Sequence, residues 1–111
     1  MEGFLYLLVP SEGVAKVGRT VDVERRIREY RHKSAQAVRA ALCFSRVWGP
    51  ASDIVLLERR LLRAFGRSFE VHEGREYFVA GAKEATDCFD AMVGDMMLDG
   101  SFAGSCPMAV D

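Results

Sequence analysis

The sequence predicts a small α/β (α+β) domain built on an antiparallel sheet, with its elements in the order β-β-α-β-α-(β)-α. Three features carry that expectation. Two short apolar runs, residues 3–9 and 14–18, flank the turn sequence Pro10-Ser11-Glu12-Gly13, as in a β-hairpin. Three later stretches repeat their apolar residues at helical spacing. Residues 40–48, rich in apolar and aromatic side chains, separate the first two of them. A chain of 111 residues suffices for one modest core and excludes the large doubly wound and barrel folds. A single domain over residues 1–98 is expected, followed at 99–111 by a flexible tail containing Gly100, Ser101, Gly104, Ser105 and Pro107.

Each element has its own signal. Phe4-Leu5-Tyr6-Leu7-Leu8-Val9 is continuous apolar sequence closed by Pro10, the pattern of a strand buried on both faces. The first helix starts near Asp22, a good cap, and runs to about Lys33 with a narrow stripe of Val23, Ile27 and Tyr30. Arg25 and Arg28 point away from that stripe, and Arg26 lies at its shoulder. The third strand covers 40–48, with Leu42, Phe44, Val47 and Trp48, and ends at Gly49-Pro50. Ser52-Asp53 offers caps for a second helix over 54–65, with Ile54, Leu57, Leu61 and Phe65 as its buried stripe and Gly66 as its stop. Tyr77-Phe78-Val79 is a short extended segment. The third helix, 83–97, has the clearest period in the chain: Ala85, Cys88, Phe89, Met92, Val93, Met96 and Met97, a stripe suited to a core or to a partner-facing seam.

The formal net charge of -1 conceals an asymmetry. Residues 1–67 hold 13 Lys and Arg against 7 Asp and Glu, whereas residues 68–111 hold 2 against 9. Such polarity suits a basic working face that holds phosphates, or simply the solvated faces of two amphipathic helices. Cys43, Cys88 and Cys106 form no CxxC pair and leave one odd, so a disulfide framework or zinc cluster is not expected and a reducing cytoplasm is. The longest apolar run is too short to cross a bilayer, and no signal peptide or membrane contact is expected.

Four residues could carry chemistry. Glu58 falls inside the second helix's apolar stripe, four residues after Ile54 and three before Leu61, while Arg59, Arg60 and Arg63 face outward. A carboxylate there is costly unless paired, protonated or bound to a metal. It reads either as a functional acid or as a marginal carboxylate paired with an arginine. Tyr6 and Lys16 lie on adjacent hairpin strands, which can bring both to one face. A phenol with a pKa of about 10 needs such a neighbouring cation to act as a base; otherwise Tyr6 is a buried tyrosine with a satisfied hydroxyl. Arg26 offers forked donors suited to a phosphate gaining charge, or is merely solvated. His72 reads as a proton donor or acceptor, or as an ordinary loop histidine.

That order of residues resembles the GIY-YIG endonuclease superfamily. GFLYLLV looks like its first motif, with Tyr6 in the tyrosine's place. AKVGRT, residues 15–20, looks like its second motif, with Gly18 retained and Lys16 where most members have tyrosine. Arg26 and Glu58 fall where the family places its helix arginine and its metal-binding glutamate. Lys16, the helix Glu58-Arg-Arg-Leu-Leu62-Arg-Ala-Phe65 and the later Gly74-Arg75-Glu76-Tyr77-Phe78 are similar to a small stand-alone phage, viral and bacterial branch that writes the second motif KIG. Leu62 replaces that branch's histidine, and the chain contains no asparagine, the polar partner of many family nucleases. The resemblance spans about residues 3–78.

The resemblance implies a three-stranded antiparallel sheet flanked by helices, and hydrolysis of nucleic-acid phosphodiesters, DNA more than RNA, with one Mg²⁺ or Mn²⁺. Glu58 would hold that ion, Tyr6 with Lys16 would accept a proton from water, and Arg26 would stabilise the phosphate. Arg19, Arg25, Arg28, Arg31 and Lys33 would contact the nucleic-acid backbone without reading sequence. For a eukaryotic virus the compartment would be a nucleus or viral factory. Two other readings stand beside the nuclease: a catalytically idle nucleic-acid binder, favoured by Lys16, Leu62 and the missing asparagine, and a protein-interaction domain whose third helix seats a partner or a second copy.

Overall fold

The computed structural model describes residues 2–11, 13–33, 44–74, 76–105 and 108–110, with the side chains of residues 10, 11, 27, 30–33, 44, 73 and 108–110 outside that description. The hairpin forms as its sequence predicts. Strand β1 (Glu2–Ser11) pairs antiparallel with β2 (Val14–Thr20), and Gly13 takes the turn at φ 81°, a left-handed conformation that glycine adopts without steric cost. Helix α1 (Val23–Lys33) follows, its first turn capped by the Asp22 carboxylate, which accepts the Arg25 backbone N–H at 3.0 Å. Strand β3 (Phe44–Pro50) pairs with the other edge of β1; residues 40–43 of the expected strand lie outside the described residues.

Helix α2 (Ala51–Ser68) is longer than its sequence signals imply. It starts directly after Pro50, so Ser52 and Asp53 lie inside the first turn and provide no side-chain cap. At the other end Gly66 does not stop it, and the Phe69 backbone N–H still donates to the Phe65 carbonyl at 2.8 Å. Tertiary burial of Ala64 and Phe65 outweighs the local preference of one glycine. Helix α3 (Ala82–Leu98) matches its predicted extent closely.

Among the described residues the sheet has six strands, and the three that the resemblance implies, β2-β1-β3, lie inside it. Its order is β4-β5-β2-β1-β3-β6, every neighbouring pair antiparallel, with β4 (Glu70–Glu73), β5 (Tyr77–Val79) and β6 (Met108–Val110) added at the edges. β5 is the short extended segment Tyr77-Phe78-Val79 expected from the sequence, and β4 and β6 are four and three residues long. β5 and β6 cover the outer edges of β2 and β3, and β4 covers that of β5.

Alternation along β1 divides the interior in two. Leu5 and Leu7 join Ala15, Val17 and Val47 under α2 and α3, packing with Leu57, Leu61, Phe65, Phe89, Val93 and Met96. Tyr6 and Leu8 face the other way, with Val9 and Val23 of α1. Strand β1 is therefore buried on both faces, as its continuous apolar run predicts. The stripe of α3 is spent on this core, with Cys88, Met92 and Met97 packed against it, and Cys88 is a free thiol. Cys43 and Cys106 lie outside the described residues. In the segment following α3, Phe102 is buried under Gly49, and β6 lies along β3. Among the described residues no helix is long and apolar enough to cross a membrane.

Candidate active site

The hairpin register builds the first half of the site. Tyr6 stands opposite Gly18, and Leu8 opposite Lys16, so the phenol, the ammonium and the glycine share one face. Gly18 is required by the tyrosine beside it. A Cβ at that position would lie 2.6 Å from Tyr6 Cζ and closer still to the hydroxyl, so the ring occupies the volume a side chain would fill. Laid across Gly18, the phenol accepts a hydrogen bond from Lys16 Nζ at 3.4 Å. The lysine is only 8% exposed and has a second anchor, the Glu76 carboxylate at 3.7 Å. Its ammonium also lies 5.5 Å from the Tyr77 ring centroid and 5.8 Å from that of Tyr6.

The residues around Lys16 are held by β5. Tyr77 pairs with Lys16, Phe78 packs on Phe65 of α2 with centroids 5.4 Å apart, and the Glu76 carbonyl accepts the Val17 N–H at 3.1 Å. Beyond Lys16 the described β5 ladder ends, leaving the outer edge of β2 from Gly18 to Thr20 without a described strand partner.

The second half approaches from the opposite face. Glu58 rides on α2 in the stripe that packs against Leu5 and Leu7, and its side chain is 16% exposed. Its partner is Arg19, whose Nε lies 3.3 Å from Glu58 Oε1. Arg19 stands opposite Leu5 in the register, hence on the α2 face. The arginine read from sequence as a backbone contact is thus the counter-ion of the glutamate, and the carboxylate-arginine pairing left open for Glu58 is realised here through β2.

These two pairs, Tyr6–Lys16 and Arg19–Glu58, do not touch, but they share a field. Burial pushes the Tyr6 hydroxyl up to about 12, against the pull of Arg26 and with further upward pushes from Glu76, Tyr77 and Glu58. Burial also raises the Glu58 carboxyl; Arg19 and Lys16 oppose that, and Glu76 adds to it. Arg26 therefore reaches Tyr6 by charge, while its guanidinium is paired with Glu29 at 3.6 Å. Arg25 is exposed and meets the same Glu29 at 3.4 Å, and Arg28 is exposed. The side chains of Arg31 and Lys33 lie outside the described residues, and His72 is an exposed residue of β4. Glu76 and Tyr77 enter the site without having been assigned a role from sequence. The sequence signal for them is the segment Gly74-Arg75-Glu76-Tyr77-Phe78, whose resemblance marks the residues but not the pairing of β5 with β2 that brings them to Lys16.

Residues 3–93 match the family model of the T5orf172 domain. The chain belongs to the T5orf172 domain family. The T5orf172 domain is found in phage and other nuclease-like proteins, so the chain fits a small endonuclease-like module. The matched T5orf172 region runs from β1 into α3 and includes Tyr6, Lys16, Arg19, Arg26, Glu58 and Glu76. No curated protein and no solved structure matches the chain.

Proposed function

We propose that this T5orf172 domain is a GIY-YIG-type endonuclease or nickase that hydrolyses phosphodiester bonds in nucleic acid, DNA in the first instance. One observation carries the reading. Gly18 leaves the space in which the Tyr6 phenol reaches Lys16, while the neighbouring Arg19 holds Glu58, so a short β2 segment carries a phenol–lysine pair on one face and an arginine–glutamate pair on the other, with Glu58 within the electrostatic reach of Tyr6.

A single divalent ion suits the donors. Glu58 is a hard oxygen ligand held at a partly desolvated position, and among the described residues no group of three or more His, Cys, Asp and Glu gathers to make a cage. That favours Mg²⁺ or Mn²⁺ retaining most of its water, with Glu58 as the protein ligand. When bound, the ion supplies Lewis-acid stabilisation of a phosphate oxygen. The protein's own residues do the rest. Arg26 neutralises charge growing on the phosphate as it turns from Glu29 to the substrate. The oxygen of a water attacks phosphorus, its proton passes to the Tyr6 phenolate, and the P–O bond to the leaving sugar oxygen breaks, that oxygen being protonated by solvent. Lys16 positions the phenol and favours its ionised form.

Plasmid nicking with and without Mg²⁺ tests this. Wild type is expected to nick only with the ion, and Glu58→Ala and Arg26→Ala to lose at least about a hundredfold in rate. Equal activity in all three proteins overturns the proposal. A second reading, a T5orf172 domain that binds nucleic acid without cutting it, is favoured by one specific observation: Arg19 already occupies the Glu58 carboxylate. It predicts salt-sensitive duplex binding and no cleavage with any divalent ion.

A further inference from the structure

The Arg19–Glu58 pair sets up a competition. Resting on the reading of Glu58 as the metal ligand, we infer that Arg19 is an exchangeable counter-ion: a divalent cation displaces it from Glu58, and the freed guanidinium then binds a substrate phosphate. Metal and nucleic acid consequently bind with positive coupling through this one side chain.

The geometry supports each half of the exchange. Glu58 needs a cation, because its side chain is largely buried on the apolar face of α2. Arg19 meets that need through one Nε contact at 3.3 Å, and its own side chain is 52% exposed. A pair whose arginine is half exposed, approaching the carboxylate at 3.3 Å, can be exchanged from the solvent side. A divalent ion carries twice the charge and can bond the carboxylate directly, so it is the stronger occupant.

The displaced guanidinium also has somewhere to go. Arg19 walls a hollow of about 250 Å³ between the start of β1 and the start of α2, bordered by Gly3, Phe4, Val21, Ala51 and Ile54. Ile54 lies one helical turn before Glu58 on the same face of α2, and Arg19 links the hollow it lines to that carboxylate. Thr20 and Val21 line both this hollow and the polar one that Arg25, Arg26 and Glu29 border, so the two are neighbours. Guanidinium forks suit phosphate oxygens, which gives the released side chain a second partner of the right chemistry.

The test measures Mn²⁺ alone, by the loss of the free-ion electron paramagnetic resonance signal, on the whole chain. Arg19→Gln is expected to bind Mn²⁺ about three- to tenfold more tightly than wild type, because both the competing pair and the nearby positive charge are removed. Arg19→Lys, which keeps a charge but loses the fork, is expected to fall between them. Glu58→Gln is expected to lose the site. Duplex DNA binding with and without Ca²⁺ at fixed ionic strength then reads the coupling, which is expected to be smaller in Arg19→Gln than in wild type. Should Arg19→Gln bind Mn²⁺ no more tightly than wild type while Glu58→Gln loses it, the exchange is wrong and Glu58 remains the ligand. Undiminished Mn²⁺ binding by Glu58→Gln removes both.

Discussion

A tyrosine near 12 makes a poor base at neutral pH and a steep reporter above it. Tyr6 is neutral in the folded protein because burial outweighs Arg26, and Glu76 and Glu58 push the same way. If its phenolate accepts the proton from water, the active fraction grows tenfold per pH unit while the pH stays well below 12. Nicking with Mg²⁺ is therefore expected to rise about a hundredfold from pH 7 to pH 9 without a plateau, and Tyr6→Phe to lose both the activity and the slope. A flat profile over that range removes Tyr6 as the base. The same raised value also bears on stability. A neutral phenol buried in the native state stabilises it fully below about pH 10, and that contribution is lost as the pH climbs towards 12.

At the scale of elements, α1 is the part of the site most exposed to a ligand. Arg25 and Arg28 are exposed on it, and the Asp22 cap fixes its start beside the hairpin. Both arginines are expected to contact phosphates only. The double variant Arg25→Ala, Arg28→Ala should weaken duplex binding similarly for unrelated sequences and lower the slope of log affinity against log salt by about 2. An unchanged slope places the duplex elsewhere. The elements also mark how far sequence reasoning reaches. The β1-β2 hairpin and α3 were legible because their signals are local: apolar runs around turn residues, and an unbroken helical period. Tyr6 beside Lys16 was legible for the same reason, since a hairpin fixes its own register. Arg19 on Glu58 and Glu76 on Lys16 depend on contacts between elements distant in sequence, 39 and 60 residues apart. No periodicity carries those.

For the whole molecule, acidic and basic side chains gather on different helices. The body of α3, with Glu84, Asp87, Asp90 and Asp95, packs on the Leu5 and Leu7 face, whereas the arginines of α1 lie over the Tyr6 and Leu8 face. What closes the α3 side is the chain after α3, whose glycines and serines predict a loose tail. Phe102 is 2% exposed and its backbone N–H donates to the Met96 carbonyl at 3.1 Å. Ser105 then exchanges hydrogen bonds with the Trp48 backbone, donating its N–H to the carbonyl at 2.7 Å and accepting the N–H on its Oγ at 2.9 Å. A ring anchored this way belongs to the core in energetic terms, despite its neighbours' composition. Phe102→Ala is expected to cost about 3–5 kcal/mol by removing a large buried aromatic. In denaturant melts that is a lower midpoint at unchanged slope, because the surface exposed on unfolding hardly alters. Ala103→Ser, at an exposed neighbour, should leave the midpoint within about 0.5 kcal/mol of wild type. A loss below about 1 kcal/mol for Phe102→Ala would mean that the segment is a dispensable strap and that the domain closes its core without it.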